Sequence, residues 1–313
     1  MKISEILSGS AKPFPSLEIV PPLKGMSKEQ LIESIRPFME FSPKYINVTC
    51  HRDEFEFVPN PDGSFTRRVV QNRVSEVAVA GTVMSNFNVE AVPHIICAGA
   101  TREQIFTELE SLHYMGIENI MALRGDCLSS EKRFTPTPGG YAYASELVDG
   151  IRSHRPDLGK VFCIGVGAYP EKHFEAPNIE TDIANLKKKV DAGADYIITQ
   201  MFFDDSRYFE FVGKCREAGI TVPIIPGLKP LSSVRQLTLL PEAFSIDIPV
   251  ELSSEIAAAA KLPEDKAKEA MRRIGTDWCT QQCRELLKGG VPAVHFYTMG
   301  KSENVCEILR KCF

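Results

Sequence analysis

The feature that most constrains this chain is a repeated alternation of short β-branched runs with amphipathic stretches of helical length. Candidate strands fall at Leu17–Val20, Tyr45–Thr49, Val92–Cys97, Asn119–Leu123, Lys160–Val166, Tyr196–Thr199, Val222–Ile225 and Ala293–Tyr297. Runs such as Ile46-Asn47-Val48 and Tyr196-Ile197-Ile198 are too short for core helices and rich in strand formers. Between strands, Thr101–Met115 opens with Thr101 and Gln104 in capping-box spacing. It places Ile105, Leu109 and Leu112 on one stripe and stops at Gly116. Thr181–Ala192 and Asp204–Ala218 repeat the plan, stopping at Gly193 and Gly219.

Such βα units in series imply a parallel sheet, because right-handed crossovers lay each strand beside the last. Eight of them suggest closure, so the expected fold is α/β, a (β/α)8 TIM barrel; pattern alone also admits a long open sheet. Barrels of this kind take 200 to 400 residues as one unit. No Pro/Gly/Ser-rich linker divides the chain, so residues 1–313 are read as a single domain. Glu251–Lys261 and Pro263–Lys288 are read as extra C-terminal helices outside the barrel, before the last strand. The long loop 51–68 carries the turn signal Pro61-Asp62-Gly63, and Glu54-Phe55-Glu56-Phe57-Val58 alternates with period two, which predicts a small hairpin.

The net charge of -5 argues against a nucleic-acid surface, which shows a basic patch. No apolar run approaches the ~20 residues that span a bilayer. Met1-Lys2-Ile3-Ser4-Glu5 lacks the apolar core of a secretory signal, so a cytoplasmic location is expected. Nine cysteines without a C-x-x-C pair do not read as a disulfide framework or zinc ribbon. Cys279 and Cys283 share a helix face, and a metal site with Cys306 and Cys312 is conceivable; reduced thiols and no metal are the favoured reading.

Barrel chemistry sits at the C-terminal ends of the strands. There the sequence places Glu18, Thr49, His94, Arg124-Gly125-Asp126, Gly167-Ala168-Tyr169, Gln200 and Pro226-Gly227. Glu18 lies among Leu17, Ile19, Val20, Pro21 and Pro22, where a carboxyl resists ionising and its pKa rises toward a value useful for proton donation. The structural alternative is a core Glu paired with Arg or Lys. Arg124 and Asp126 could equally pair with each other, and His94 could be a satisfied interior histidine. Gln200, an amide at a barrel mouth, has the donor and acceptor to meet an amide edge of a ligand. Asp182, Asn185 and Lys189 share one helix face and would suit a nucleotide cofactor. Gly165-Val166-Gly167-Ala168-Tyr169-Pro170 lacks the third glycine of the dinucleotide fingerprint, so a Rossmann domain is not expected.

Leu17-Glu18-Ile19-Val20-Pro21-Pro22, Asn47-Val48-Thr49, Pro93-His94, Ala122-Leu123-Arg124-Gly125-Asp126, Tyr143-Ala144 and Ala168-Tyr169-Pro170-Glu171-Lys172-His173 resemble the methylenetetrahydrofolate reductase family in order and spacing. So do Lys189-Val190-Asp191-Ala192-Gly193-Ala194, Ile198-Thr199-Gln200-Met201-Phe202-Phe203-Asp204, Ile225-Pro226-Gly227 and His295-Phe296-Tyr297-Thr298. The resemblance runs from Glu18 to Thr298 and is to the short bacterial form. It implies a flavin enzyme that holds FAD, takes electrons from NADH or NADPH, and reduces 5,10-methylenetetrahydrofolate to 5-methyltetrahydrofolate for methionine synthesis.

By the same resemblance Glu18 is the general acid that opens the folate ring to an iminium, and Asp126 the carboxylate near flavin and pterin. Gln200 is implied as the pterin and nicotinamide contact. Thr49, His94, Arg124, Gly125, Asp126, Tyr143, Ala144, Tyr169, His173, Ala176, Asp182, Asn185 and Lys189 are implied as FAD contacts, and Gln236 and Lys301 as folate contacts. Lys301 stands where many bacterial members have Arg, Leu240 where some have an aromatic ring, and Cys50-His51-Arg52 with its long loop departs from the compact form. The partners expected are small molecules, with no nucleic acid or membrane, in a homo-oligomer. The alternatives are another FAD barrel, of the proline-dehydrogenase kind, and a non-catalytic barrel subunit.

Overall fold

A computed structural model of the chain describes residues 1–52, 54–70, 72–127, 133–154, 156–298 and 302–313. A short helix α1 (Ile3–Gly9) precedes strands β1 (Phe14–Ile19), β2 (Tyr45–Val48), β3 (Glu54–Pro59), β4 (Phe65–Val70) and β5 (Glu90–Ile96). These are followed by β6 (Asn119–Leu123), β7 (Cys163–Ala168), β8 (Tyr196–Met201), β9 (Ile224–Leu228) and β10 (Ala293–Tyr297). Among them run α2 (Lys28–Ile35), α3 (Glu76–Asn86), α4 (Arg102–Tyr114), α5 (Ala144–His154), α6 (Pro156–Val161) and α7 (Ile179–Asp191). The remaining helices are α8 (Asp205–Glu217), α9 (Gln236–Phe244), α10 (Val250–Ala259), α11 (Glu264–Lys288) and α12 (Glu303–Cys312). Eight strands close in the order β1-β10-β9-β8-β7-β6-β5-β2, and β3 and β4 form a separate pair. All barrel pairings are parallel, including the closing pair of β1 with β2. The TIM barrel expected from the alternation is the fold observed.

The two faces of each strand do different work. Leu17, Ile46, Val48, Ile95, Ile120, Ile164, Val166, Ile197 and Phe296 join the core shared with the surrounding helices. Phe14, Tyr45, Val92, Met121, Cys163, Tyr196, Ile198, Ile225 and Ala293 form a second cluster with Ile3, Ile6 and Leu7 of α1. Helix α1 therefore closes the N-terminal end of the barrel, each of its buried side chains contributing ~1.5–3 kcal/mol. Asn119 locks it there, accepting from the Ile3 amide at 2.9 Å and donating to the Met1 carbonyl at 3.0 Å. With the N-terminal end plugged, ligands enter from the other.

Two strands begin later than expected, while β1 and β5 begin earlier, at Phe14 and Glu90. Residues 160 and 161 lie in α6, because Leu158 and Phe162 are both buried at helical spacing and the Phe162 amide still bonds the Leu158 carbonyl; the strand begins at Cys163. Val222 and Pro223 precede β9, since proline has no N–H to give a ladder. The hairpin in loop 51–68 is present as β3 and β4 in antiparallel register. Its turn uses Gly63 at φ 81°, and the Asp62 carboxylate accepts from the Ser64 amide at 2.9 Å. The base of the hairpin is sewn to the segment after β1: Val74 N–H donates to Pro22, Lys24 N–H to Asn72, and Arg73 Nη1 to Pro21.

Helices α9 and α10 are additions to the barrel ring. They share a core with Met201, Phe203, Leu231 and Met271. The long helix α11 itself packs on β9, β10, α8 and α12, in the ring. Among the described residues, no helix is long and apolar enough to cross a membrane.

Candidate active site

Glu18 is placed on β1 by alternation: Leu17 and Ile19 face the helices, so the residue between them faces the barrel interior. Its side chain is 14% exposed, and burial pushes its pKa up to about 8, with the Lys229 charge opposing. At neutral pH Glu18 is therefore a carboxylic acid, able to donate a proton. Beside it, His94 Nε2 lies 3.6 Å from Glu18 Oε2, beyond hydrogen-bonding distance. Burial also drives the His94 pKa down to about 3, so the contact is between two neutral groups rather than ions. The Asn47 amide donates to His94 Nε2 at 3.2 Å, which assigns the ring proton to Nδ1. The Thr298 hydroxyl donates to the Glu18 carbonyl at 2.8 Å and fixes the backbone.

Around this acid the strand ends converge as the sequence implies. At the end of β2 the Thr49 hydroxyl is buried with no partner among the described residues, a polar atom left for a ligand or water. After β6, Gly125 has φ 83°, and a Cβ there would lie 2.9 Å from the Ala98 methyl. Only glycine allows that close turn. Arg124 pairs with Glu175 and stacks on Phe134 at 4.9 Å; it is not spent on Asp126, which is exposed at the mouth. His51 lies near enough to Asp126 and Arg73 for both charges to act on it, so the hairpin base borders the same opening.

The loop after β7 is wired from three sides. His173 meets the Tyr169 ring edge-on at 4.7 Å, its amide donates to Asp182 at 2.9 Å, and its Nδ1 accepts from Glu175 N–H at 3.1 Å. Lys172 adopts a left-handed φ of 84° and donates its ammonium to the buried Ala176 carbonyl at 2.8 Å. Lys189, whose pKa burial lowers to about 8, donates to the Gly167 carbonyl at 2.6 Å. Asp182 and Lys189 thus build the loop wall, while Asn185 lies exposed and accepts from Lys188 at 3.1 Å. Tyr143 is 59% exposed and Ala144 opens α5. Asp182→Ala is expected to leave the His173 amide unpaired and to destabilise the fold by ~1–3 kcal/mol. Urea midpoints measure it, and an unchanged midpoint would show that this bond does not hold the loop after β7.

Gln200 sits in a register shift between Ile198 and Met201, a bulge of the kind that re-aims side chains beside active sites. Its Oε1 accepts from the Met201 amide at 2.9 Å. Thr199 and Gly227, named in the sequence without a role, hold this bulge: Thr199 Oγ1 accepts from Gly227 N–H at 3.0 Å, and a Cβ on Gly227 would meet the Thr199 carbonyl at 2.3 Å. Lys229, buried after β9 and acting on Glu18, was missed; its place directly after a strand end was the available signal. Gln236 uses its carbonyl to accept from the Ser232 and Ser233 amides at 2.7 and 3.1 Å, capping the loop after β9. Lys301 lies outside the described residues. Among the described residues no cluster of His, Cys, Asp and Glu could hold a metal ion.

Known proteins match this chain. The family model for methylenetetrahydrofolate reductase matches residues 2–312. Methylenetetrahydrofolate reductase (NADH) 1 of Arabidopsis thaliana is 32% identical over 94% of this chain, which spans 47% of that protein, about half its length. The 5,10-methylenetetrahydrofolate reductase of Salmonella typhimurium is 32% identical, with 92% of this chain and 86% of that protein covered. A Clostridium thermocellum structure described as binding two copies of 5-methyl-5,6,7,8-tetrahydrofolic acid superposes with a TM-score of 0.62 at 13% identity, covering 99% of this chain and 98% of that one. That last likeness speaks for the barrel alone. The near-complete family match and the coverage of the bacterial enzyme go further, and by them the chain belongs to the methylenetetrahydrofolate reductase family.

Proposed function

We propose that residues 1–313 act as one catalytic unit that reduces 5,10-methylenetetrahydrofolate to 5-methyltetrahydrofolate at the expense of NADH or NADPH, supplying methionine synthesis. The observation that carries the reading is Glu18, a carboxyl held protonated to about pH 8 at the mouth of the barrel. Folate ring opening needs a proton donor at neutral pH, and few carboxyls can serve.

The reading includes FAD. The orphaned Thr49 hydroxyl and the close turn at Gly125 fit a ligand that approaches the backbone here. Thr49, His94, Arg124, Gly125, Asp126 and Tyr169 would hold it from the strand ends. Tyr143, Ala144, His173, Ala176, Asp182, Asn185 and Lys189 would do so from the helices and the loop after β7. When bound, FAD supplies a two-electron carrier between nicotinamide and folate.

The chain's own residues do the rest. Glu18 gives its proton to the folate nitrogen that leaves as the five-membered ring opens. Asp126 offers negative charge to the cation that develops, an electrostatic effect strengthened wherever bound substrate excludes water. Gln200 meets the pterin amide edge in one half-reaction and the nicotinamide carboxamide in the other. Gln236, its carbonyl engaged by the loop, keeps its NH2 group for the folate, and Lys301 would add a point charge.

One face shared by nicotinamide and pterin requires them to alternate, because each must come within ~3–3.5 Å of the same reacting atom. The purified protein should be yellow, bleach with NADH or NADPH, and recover colour on addition of methylenetetrahydrofolate. Initial rates against both substrates should give parallel lines. A colourless protein that FAD cannot reconstitute would refute the reading, and intersecting lines would refute the shared site.

A further inference from the structure

Outside the proposed active site, three thiols converge at one place. Helix α11 presents Cys279, Thr280 and Cys283 toward α12, and Cys312 near the end of α12 comes to meet them. The Cys312 thiol donates to the Thr280 carbonyl at 3.6 Å, which brings it against Cys283, three residues further along α11 and close enough for the two thiols to act on each other. Cys283 is fully buried, Cys279 nearly so, and Cys312 is half-buried, so solvent reaches the group through Cys312.

The surroundings of Cys312 are cationic. Arg284, next to Cys283 in the chain, donates Nη2 to the Lys311 carbonyl at 3.2 Å, which brings its guanidinium beside Cys312. The Cys283 thiol, and after it the Arg284 charge, draw the Cys312 thiol below its ordinary range against the cost of burial. Burial instead raises Cys97, Cys163, Cys215, Cys279 and Cys306, and the Cys312 thiol raises Cys283. A partly exposed thiol in a cationic pocket with a second thiol against it is the arrangement that oxidants select.

We propose that Cys312 and Cys283 form a peroxide-oxidisable pair, with Cys312 the thiol attacked first and Cys283 the one that resolves it. The Cys312 thiolate attacks one oxygen of hydrogen peroxide; the S–O bond forms, the O–O bond breaks, and hydroxide leaves. Sulfur is oxidised by two electrons to a sulfenic acid and the peroxide is reduced. The Cys283 sulfur then attacks the Cys312 sulfur and the S–O bond breaks. The Cys283 proton goes to the departing hydroxide as water, leaving a disulfide. A thiol reductant reverses the bridge by exchange. The bridge ties α12 to α11 on either side of β10, the strand that leads to Thr298 and its bond to Glu18.

Mass spectrometry of the folded full chain tests this. The protein is treated with stoichiometric hydrogen peroxide, remaining thiols are alkylated without reduction, and the digest is mapped. The expected product is a peptide pair linked through Cys283 and Cys312, lighter by two hydrogens and lost on reduction. Cys283→Ser should instead leave Cys312 as a sulfenic acid that dimedone traps, and Cys312→Ser should abolish the bridge. Oxidation at another cysteine while Cys312 stays alkylatable, or a bridge from Cys312 to Cys279 or to a second copy of the chain, would overturn the proposal. The wild-type map decides it even where a variant folds poorly.

Discussion

Glu18→Gln is expected to leave reduction of bound flavin by NADH or NADPH nearly untouched while slowing its reoxidation by methylenetetrahydrofolate ~10²–10⁴-fold, the usual worth of a general acid. Glutamine keeps the size and polarity of the side chain but has no proton to give, and only the folate step needs one. Stopped-flow absorbance resolves the two half-reactions, and equal slowing of both would mark Glu18 as structural. The same substitution has a stability signature of defined sign. Burial raises the Glu18 pKa from 4.5 to about 8, so the native state holds that proton more tightly than the unfolded chain. The stability this contributes is complete below pH 4.5 and is lost as pH rises through about 8. Glu18→Gln, which has no proton to lose, should therefore gain stability relative to the native protein as pH rises across that window. Denaturant melts at both ends of it give the comparison, and a difference independent of pH would deny that the carboxyl is desolvated.

Gly275→Ala should be among the most damaging single-methyl changes in the molecule. A Cβ at this position of α11 would lie 1.9 Å from the Leu231 carbonyl oxygen and 2.8 Å from its amide nitrogen, and backbone cannot swing aside as a side-chain tip can. Leu231 is itself buried, just before the Ser232 and Ser233 amides that Gln236 holds. Overpacking costs ~1–3 kcal/mol and occasionally more; a contact with backbone rather than a side-chain tip puts this site at the upper end. Gly213→Ala is the control, since nothing lies within 4 Å of the added methyl on the exposed face of α8. There the loss of unfolded-state freedom should stabilise by ~0.4–1 kcal/mol. Urea midpoints for the two variants check the pair, and similar midpoints would mean that α11 shifts to admit the methyl.

What could be read from the sequence was what local pattern carries. The strands were legible because short β-branched runs alternate with helical stretches, three of which stop at Gly116, Gly193 and Gly219 just before a strand, and the hairpin because Pro61-Asp62-Gly63 supplies a turn between alternating arms. Glu18 stood out because its sequence neighbours are apolar, but the cause of its raised pKa is burial inside the barrel, on the face opposite Leu17 and Ile19. The site residues that escaped notice depend on partners far along the chain. The Gln200 bulge is made by Thr199 and Gly227 from neighbouring strands, and nothing local to Tyr196–Thr199 announces it. Lys229 acts on Glu18 only because β9 and β1 both border β10 in the closed barrel. The helix spacing of Asp182 and Lys189 put them on one face, but their bonds go to His173 and Gly167, loop and strand groups that helical periodicity cannot foresee.

The account stands on Glu18 delivering a proton, and the pH dependence of flavin reoxidation by methylenetetrahydrofolate in the unmodified protein tests that most directly. The rate constant should be level at neutral pH, turn down near pH 8, and fall about tenfold per pH unit beyond it, as the carboxyl ionises. A rate that crosses that region unchanged, or that breaks instead near the ordinary carboxyl value of 4.5, would contradict it.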